Sequence, residues 1–98
     1  SKESYLLFLK DFFKAMSVEF TWEEEYLQEL CKKTLKCNLG ARKLKGFIEE
    51  SVKQARWEIL KNPETYDMLC LTKESLRDPS KYILTTKKAK TLQLERKM

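Results

Sequence analysis

A single glycine divides the longest helical pattern of this sequence in two. An amphipathic pattern stops at Gly40, and a longer one runs from Ala41 to about Lys61. Glycine adopts the left-handed backbone conformation that follows a finished helix more readily than any other residue. The sequence therefore predicts one helix that ends at Gly40 and a second that begins almost at once.

The start of this second helix carries an unusual charge. Arg42, Lys43 and Lys45 lie close to its first residue, and no carboxylate is near. Cations at a helix N-terminus oppose the macrodipole, at a cost of about 0.3–1 kcal/mol each. Conflicts of this kind with local rules are expected at functional or strained positions. The junction is therefore the candidate functional site.

Hydrophobic periodicity over the rest of the chain predicts two further helices and up to three short strands. The helices are expected at residues 5–16 and 23–36, with the long helix at 41–61. Strands are expected at residues 18–22, 66–71 and 82–84, with a turn or short helix at 72–77. The predicted class is α+β and mainly α: a three-helix domain with a small two- or three-stranded sheet.

The apolar positions of the second and third helices predict which side chains form the core. In the second helix they are Tyr26, Leu27, Leu30, Cys31, Thr34 and Leu35, and in the third Leu44, Phe47, Ile48, Val52, Ala55 and Ile59. On the first helix, Phe8 and Phe12 widen the apolar face enough to suggest a contact beyond this chain. Gly46 costs the third helix about 1 kcal/mol relative to alanine, unless another backbone packs closely there.

The positive charge of the chain is concentrated at its C-terminus. The net charge is +5, but residues 87–98 hold five basic side chains and one acidic one, whereas residues 1–86 hold 15 basic and 14 acidic. We expect residues 1–85 to form one domain and residues 86–98 a basic, disordered tail. The sequence has no initial methionine and its helical pattern begins by Tyr5, so we expect it to come from a longer protein.

The residue types present exclude most catalytic chemistry. The chain has no histidine, and its three cysteines (Cys31, Cys37 and Cys70) form no C-x-x-C pair, so the usual zinc spacings are missing. It also lacks a Gly-rich phosphate loop. We expect no catalysis by this chain alone. The odd number of cysteines indicates reduced thiols in the cytoplasm, with Cys31 and Cys70 as small core residues.

Arg42 is the most informative residue of the junction. It lies two positions before Leu44, or about 200° around a helix, so it points away from the core if Leu44 points into it. A guanidinium group suits bidentate binding of phosphate, and a helix N-terminus also favours anions. A solvated arginine without a ligand is the alternative that the residues alone leave open.

The order helix, strand, helix, Gly-Ala-Arg-x-Leu, long helix and strand resembles the C-terminal small domain of AAA+ protein unfoldases. The Clp and Hsl families carry this domain, ClpX and HslU in particular. The resemblance covers residues 3–84 and is most specific at residues 33–44 and 48–50. Gly40, Ala41 and Arg42 lie where those families have their sensor-2 motif. Lys43 and Lys45 depart from the Gly and Arg that are usual in ClpX.

The resemblance implies a function for the site. In those families the sensor-2 arginine reaches the phosphates of ATP, which the large ATPase domain holds together with Mg²⁺. The resemblance implies that Arg42 also reaches these phosphates, and that this small domain couples the ATP state to domain rotation. The implied partners are the large domains of the same and the neighbouring subunit, a homohexameric ring and a peptidase. Contact with membranes is not implied, and nucleic acid binding is not expected.

Two other functions fit the same order of elements. In a winged helix-turn-helix domain, the long helix would enter the DNA major groove with Arg42, Lys43 and Lys45. The near-neutral charge of residues 1–86 disfavours DNA binding, and so do Glu49, Glu50 and Glu58 on that helix. The other alternative is a helical interaction module that uses its exposed phenylalanine and leucine side chains.

Overall fold

A computed structural model describes residues 3–36 and 41–87 of the chain. The described elements are α1 (Ser4–Lys14), β1 (Glu19–Trp22), α2 (Glu24–Lys36), α3 (Ala41–Lys61), β2 (Tyr66–Leu71), a 3-10 helix (Lys73–Leu76) and β3 (Tyr82–Thr86). The predicted α+β, mainly α class with a small sheet is confirmed. No helix in the described ranges combines the length and hydrophobicity that a membrane span requires.

The three strands form one mixed sheet with β2 at its centre. β1 runs parallel to β2, with Phe20 opposite Leu69, and β3 runs antiparallel to β2, with Leu84 opposite Leu69. Parallel strands need a long crossover connection. The chain from α2 to the end of α3 supplies it. α3 packs against β2, and α2 contacts α3 and the 3-10 helix.

The core lies where the apolar faces of the helices meet the sheet. Its buried side chains are Leu6, Leu9 and Phe13 from α1, Tyr26 and Leu30 from α2, Leu44, Ile48, Val52, Ala55 and Ile59 from α3, and Val18, Phe20, Leu69 and Leu71 from β1, β2 and the approach to β1. The predicted face of α3 is confirmed, with Phe47 half-buried at its border.

The predicted core face of α2 is too wide. Leu35 is 72% exposed, and Cys31, expected in the core, is only half-buried. Leu35 follows the fully buried Tyr26 by nine residues, which at about 100° per residue places it on the opposite side of the helix. Cys70 is also only half-buried, on β2.

Two elements end at positions other than those predicted. α1 ends at Lys14 instead of residue 16, because Ser17 has a left-handed backbone with φ of 61°. The Ser17 N–H donates to the Lys14 carbonyl at 2.9 Å, which closes the turn. β3 runs to Thr86, two residues beyond the prediction. The division of the chain at residues 85 and 86 stays a prediction, and residues 88–98 lie outside the described residues.

Candidate functional site

The candidate site lies at the start of α3. The helix begins at Ala41, as predicted, with no acidic residue in its first turn. The first four N–H groups of a helix have no partner within it, so this end favours an anion. Gly40 lies outside the described residues, and its predicted role in ending the preceding helix is not tested.

The structure places Arg42 on the exposed side of α3. Leu44, two residues later, is only 8% exposed and contacts the core. In the described parts of the chain, no carboxylate forms an ion pair with the guanidinium group of Arg42. Arg42 therefore offers a free planar cation next to the helix N-terminus.

The three cations at this end of α3 have different surroundings. The Lys45 ammonium lies 5.3 Å from the ring centroid of Tyr5 on α1, within the range of a cation–π contact. Lys43 is exposed and, within residues 3–36 and 41–87, forms no ion pair. Of the three, Lys45 is thus held by α1, whereas Arg42 and Lys43 are exposed on different sides of the helix, about 100° apart.

A polar network next to Lys45 fixes α1 to α3. The Tyr5 hydroxyl donates a hydrogen bond to Glu49 Oε1. The other carboxylate oxygen of Glu49 accepts from Arg56 Nη2 at 2.6 Å. Sequence reasoning missed this network. The spacing of seven residues between Glu49 and Arg56 places both on one face of α3 and could have indicated the ion pair, but nothing local points to Tyr5.

A second, buried network fixes α2 to α3. The Tyr26 hydroxyl donates to Ser51 Oγ at 3.0 Å, and the Ser51 hydroxyl donates to the Phe47 carbonyl at 2.9 Å. Burial raises the pKa of Tyr26 to about 12, and the hydrogen bond to Ser51 opposes this shift. Tyr26 therefore stays a neutral donor, and α3 is held by side chains of both other helices.

The arrangement at the start of α3 can bind an anion, but it offers little for metal chemistry. Across the part of the chain that the structure describes, no group of three or more cysteine, aspartate or glutamate side chains is placed to hold a metal ion.

The family described as the C-terminal, D2-small domain, of ClpB protein has a model that matches residues 5–61, more than half of the chain. The chain belongs to this family. It is a C-terminal small domain of a Clp-type AAA+ ATPase, as the resemblance implied. The narrower likeness to ClpX or HslU stays a prediction. The match spans α1, β1, α2 and α3, and so includes Arg42.

Proposed function

We propose that Arg42 is the sensor-2 arginine of the parent ATPase and binds the nucleotide phosphates held by the large ATPase domain. The observation that carries this proposal is the position of Arg42. It is exposed in the first turn of α3 and has no carboxylate partner among the described residues. Membership in a AAA+ family supports ATP as the ligand, since these proteins bind nucleotide.

The groups in this domain fit the phosphates and do not fit the metal. A guanidinium and free helix N–H groups are donors for anionic oxygens, whereas Mg²⁺ requires oxygen ligands in near-octahedral geometry. The described residues present no carboxylate cluster at the start of α3. Mg²⁺ and the catalytic groups then belong to the large domain, and Arg42 supplies charge and orientation.

The way α3 is held suggests how this contact produces motion. α3 contacts α2, β2 and the 3-10 helix, and Tyr5, Tyr26, Glu49 and Ser51 bind it to α1 and α2. Binding of the phosphates to Arg42 would therefore rotate the whole domain as a rigid body. The proposal also includes a cytoplasmic ring of such subunits, in which this rotation drives protein unfolding, and a peptidase as the partner of the ring.

The test compares Arg42→Ala with Lys43→Ala, which removes an equal charge from the neighbouring residue. Arg42→Ala in the full-length protein should weaken nucleotide binding or hydrolysis about ten- to hundredfold, since a charged hydrogen bond contributes about 1.5–3 kcal/mol. Lys43→Ala should have little effect. In the 98-residue chain, neither change should lower the melting temperature, because each removes a cation from a helix N-terminus.

Two results would contradict the proposal. Wild-type ATPase activity and nucleotide affinity in the full-length Arg42→Ala protein would exclude a sensor-2 role. Unfolding of the 98-residue Arg42→Ala chain would make Arg42 a structural residue.

A further inference from the structure

A groove of about 360 Å³ lies between α2 and the 3-10 helix. It is lined by Glu29, Lys32 and Lys33 of α2 and by Lys73, Leu76 and Arg77 of the 3-10 helix and its end. Four cations and one carboxylate thus surround one small concave surface. These residues come from two segments about forty positions apart, in a part of the chain that the sensor-2 proposal does not use.

The positive charge of the groove is only partly compensated. The Lys32 ammonium lies 3.6 Å from Glu29 Oε1, in an exposed pair that contributes little. The Lys33 ammonium lies 4.7 Å from the ring centroid of Phe47. Lys73 and Arg77 are exposed and form no ion pair with the carboxylates that the structure describes. With four cations and one carboxylate, the lining side chains carry a net charge of +3.

Hydrogen bonds hold the wall formed by the 3-10 helix in place. The Lys73 N–H donates at 3.0 Å to Oε1 of Glu23, the residue just before α2. The buried Ser75 hydroxyl accepts from the Thr72 N–H at 2.8 Å and donates to the Lys81 carbonyl at 2.8 Å. The cations of this wall are thus carried on a fixed backbone.

The groove combines its charge with an apolar surface. Leu76 is half-buried between the cations, and the aliphatic stems of lysine and arginine add apolar area while their charged ends stay in water. A volume of about 360 Å³ lies near the lower end of ligand pockets, roughly 300–1,000 Å³. A short peptide with carboxylates on both sides of one apolar side chain matches this surface.

Nucleic acid matches it less well. Specific protein–DNA interfaces bury about 1,000–2,500 Å² of protein surface, far more than six side chains provide. Glu24 and Glu25, at the start of α2, also place negative charge at the other end of the same helix. A phosphate backbone that extended along α2 would be repelled there.

We propose that this groove binds a short acidic segment of a partner protein, with carboxylates on Lys33, Lys73 and Arg77 and an apolar side chain on Leu76. This proposal does not depend on the role of Arg42. The attraction is carried by exposed charges, so binding should weaken as salt is raised.

The experiment measures binding of a fluorescent five-residue peptide, leucine flanked on each side by two glutamates, to the 98-residue chain by anisotropy at low salt. The control peptide replaces the glutamates with glutamines and should not bind. Exposed ion pairs contribute up to about fivefold each, so Lys73→Gln with Arg77→Gln should weaken binding about tenfold. Lys53→Gln with Lys61→Gln removes the same charge from exposed positions of α3 outside the groove and should leave binding unchanged.

A conservative variant and a measurement of oligonucleotide binding complete the test. Arg77→Lys keeps the charge and should keep most of the affinity, which separates an electrostatic role from a structural one. Equal binding of the glutamine peptide, or equal loss in the Lys53 and Lys61 control, would overturn the proposal. So would an oligonucleotide that bound more tightly than the peptide and lost affinity in the Lys73 and Arg77 variant.

Discussion

Gly46 offers the sharpest test of the structure of α3. It is the sixth residue of this 21-residue helix and is exposed. The sequence allowed two interpretations: a weak helical position, or a place where another backbone packs closely. A Cβ atom built on Gly46 meets no heavy atom within 4 Å beyond its own helix and chain neighbours. The structure thus supports the first interpretation, and Gly46→Ala should stabilise the domain.

The expected gain follows from the lack of contacts. Glycine is about 0.8–1.0 kcal/mol less favourable than alanine in a helix interior, largely because the unfolded chain loses more freedom when glycine is ordered. No steric cost opposes this gain, since the added methyl group enters open space. The free energy of unfolding should rise by about 1 kcal/mol. For a domain of this size, the melting temperature should then rise by about 4–8 °C.

The assay is thermal and urea unfolding of the 98-residue chain, followed by circular dichroism. Gly46→Ala, Gly46→Leu and Gly46→Val should all stabilise, with the gain falling in that order as helix propensity falls. The urea m-value should not change, because no additional surface is buried. Lys53→Ala is the control and should change the melting temperature little, since lysine at an exposed position of the same helix is already a good helix former.

Two outcomes would refute this reasoning. A lower melting temperature for Gly46→Ala would mean that a neighbouring group fills the space next to Gly46. A large loss for Gly46→Leu with a gain for Gly46→Ala would mean that this space is narrow.

Two further predictions concern the contact between α2 and α3. The pKa of Tyr26 is raised to about 12 from an ordinary value of 10.0, so its stabilising contribution is complete below pH 10 and is lost as the pH rises from 10 to 12. Tyr26→Phe should lower the free energy of unfolding by about 1 kcal/mol at pH 7, because the hydrogen bond to Ser51 is lost. In urea unfolding at pH 11 the difference between variant and wild type should largely disappear, because only the wild type has a tyrosine that ionises on unfolding. A difference that is the same at both pH values would contradict the raised pKa of Tyr26. Ile48 is fully buried, so Ile48→Asp should cost several kcal/mol, and a melting temperature within a few degrees of wild type would show that the buried face of α3 is wrongly assigned.

The sequence alone determined the elements whose signals are local. α3 occupies residues 41–61 and β2 residues 66–71, as predicted, because helical spacing, a short and mainly apolar run, and the break at Pro63 act over a few neighbouring residues. The buried face of α3 follows from the same spacing. The candidate site also came from local information, namely the cations beside a helix start and a family resemblance. That resemblance agrees with the family match at the level of the Clp-type small domain.

Only the tertiary structure decided which distant residues meet. The parallel pairing of β1 with β2 and the contact of Tyr5 with Glu49 join segments that the sequence gives no reason to pair. Leu35 is apolar at a helical position, yet it is exposed because the core contacts only the Tyr26 side of α2. The cationic groove likewise exists only because β2 carries the 3-10 helix to the side of α2. Hydrophobic periodicity defines a face of each element, whereas the partner of that face depends on how all the elements pack together.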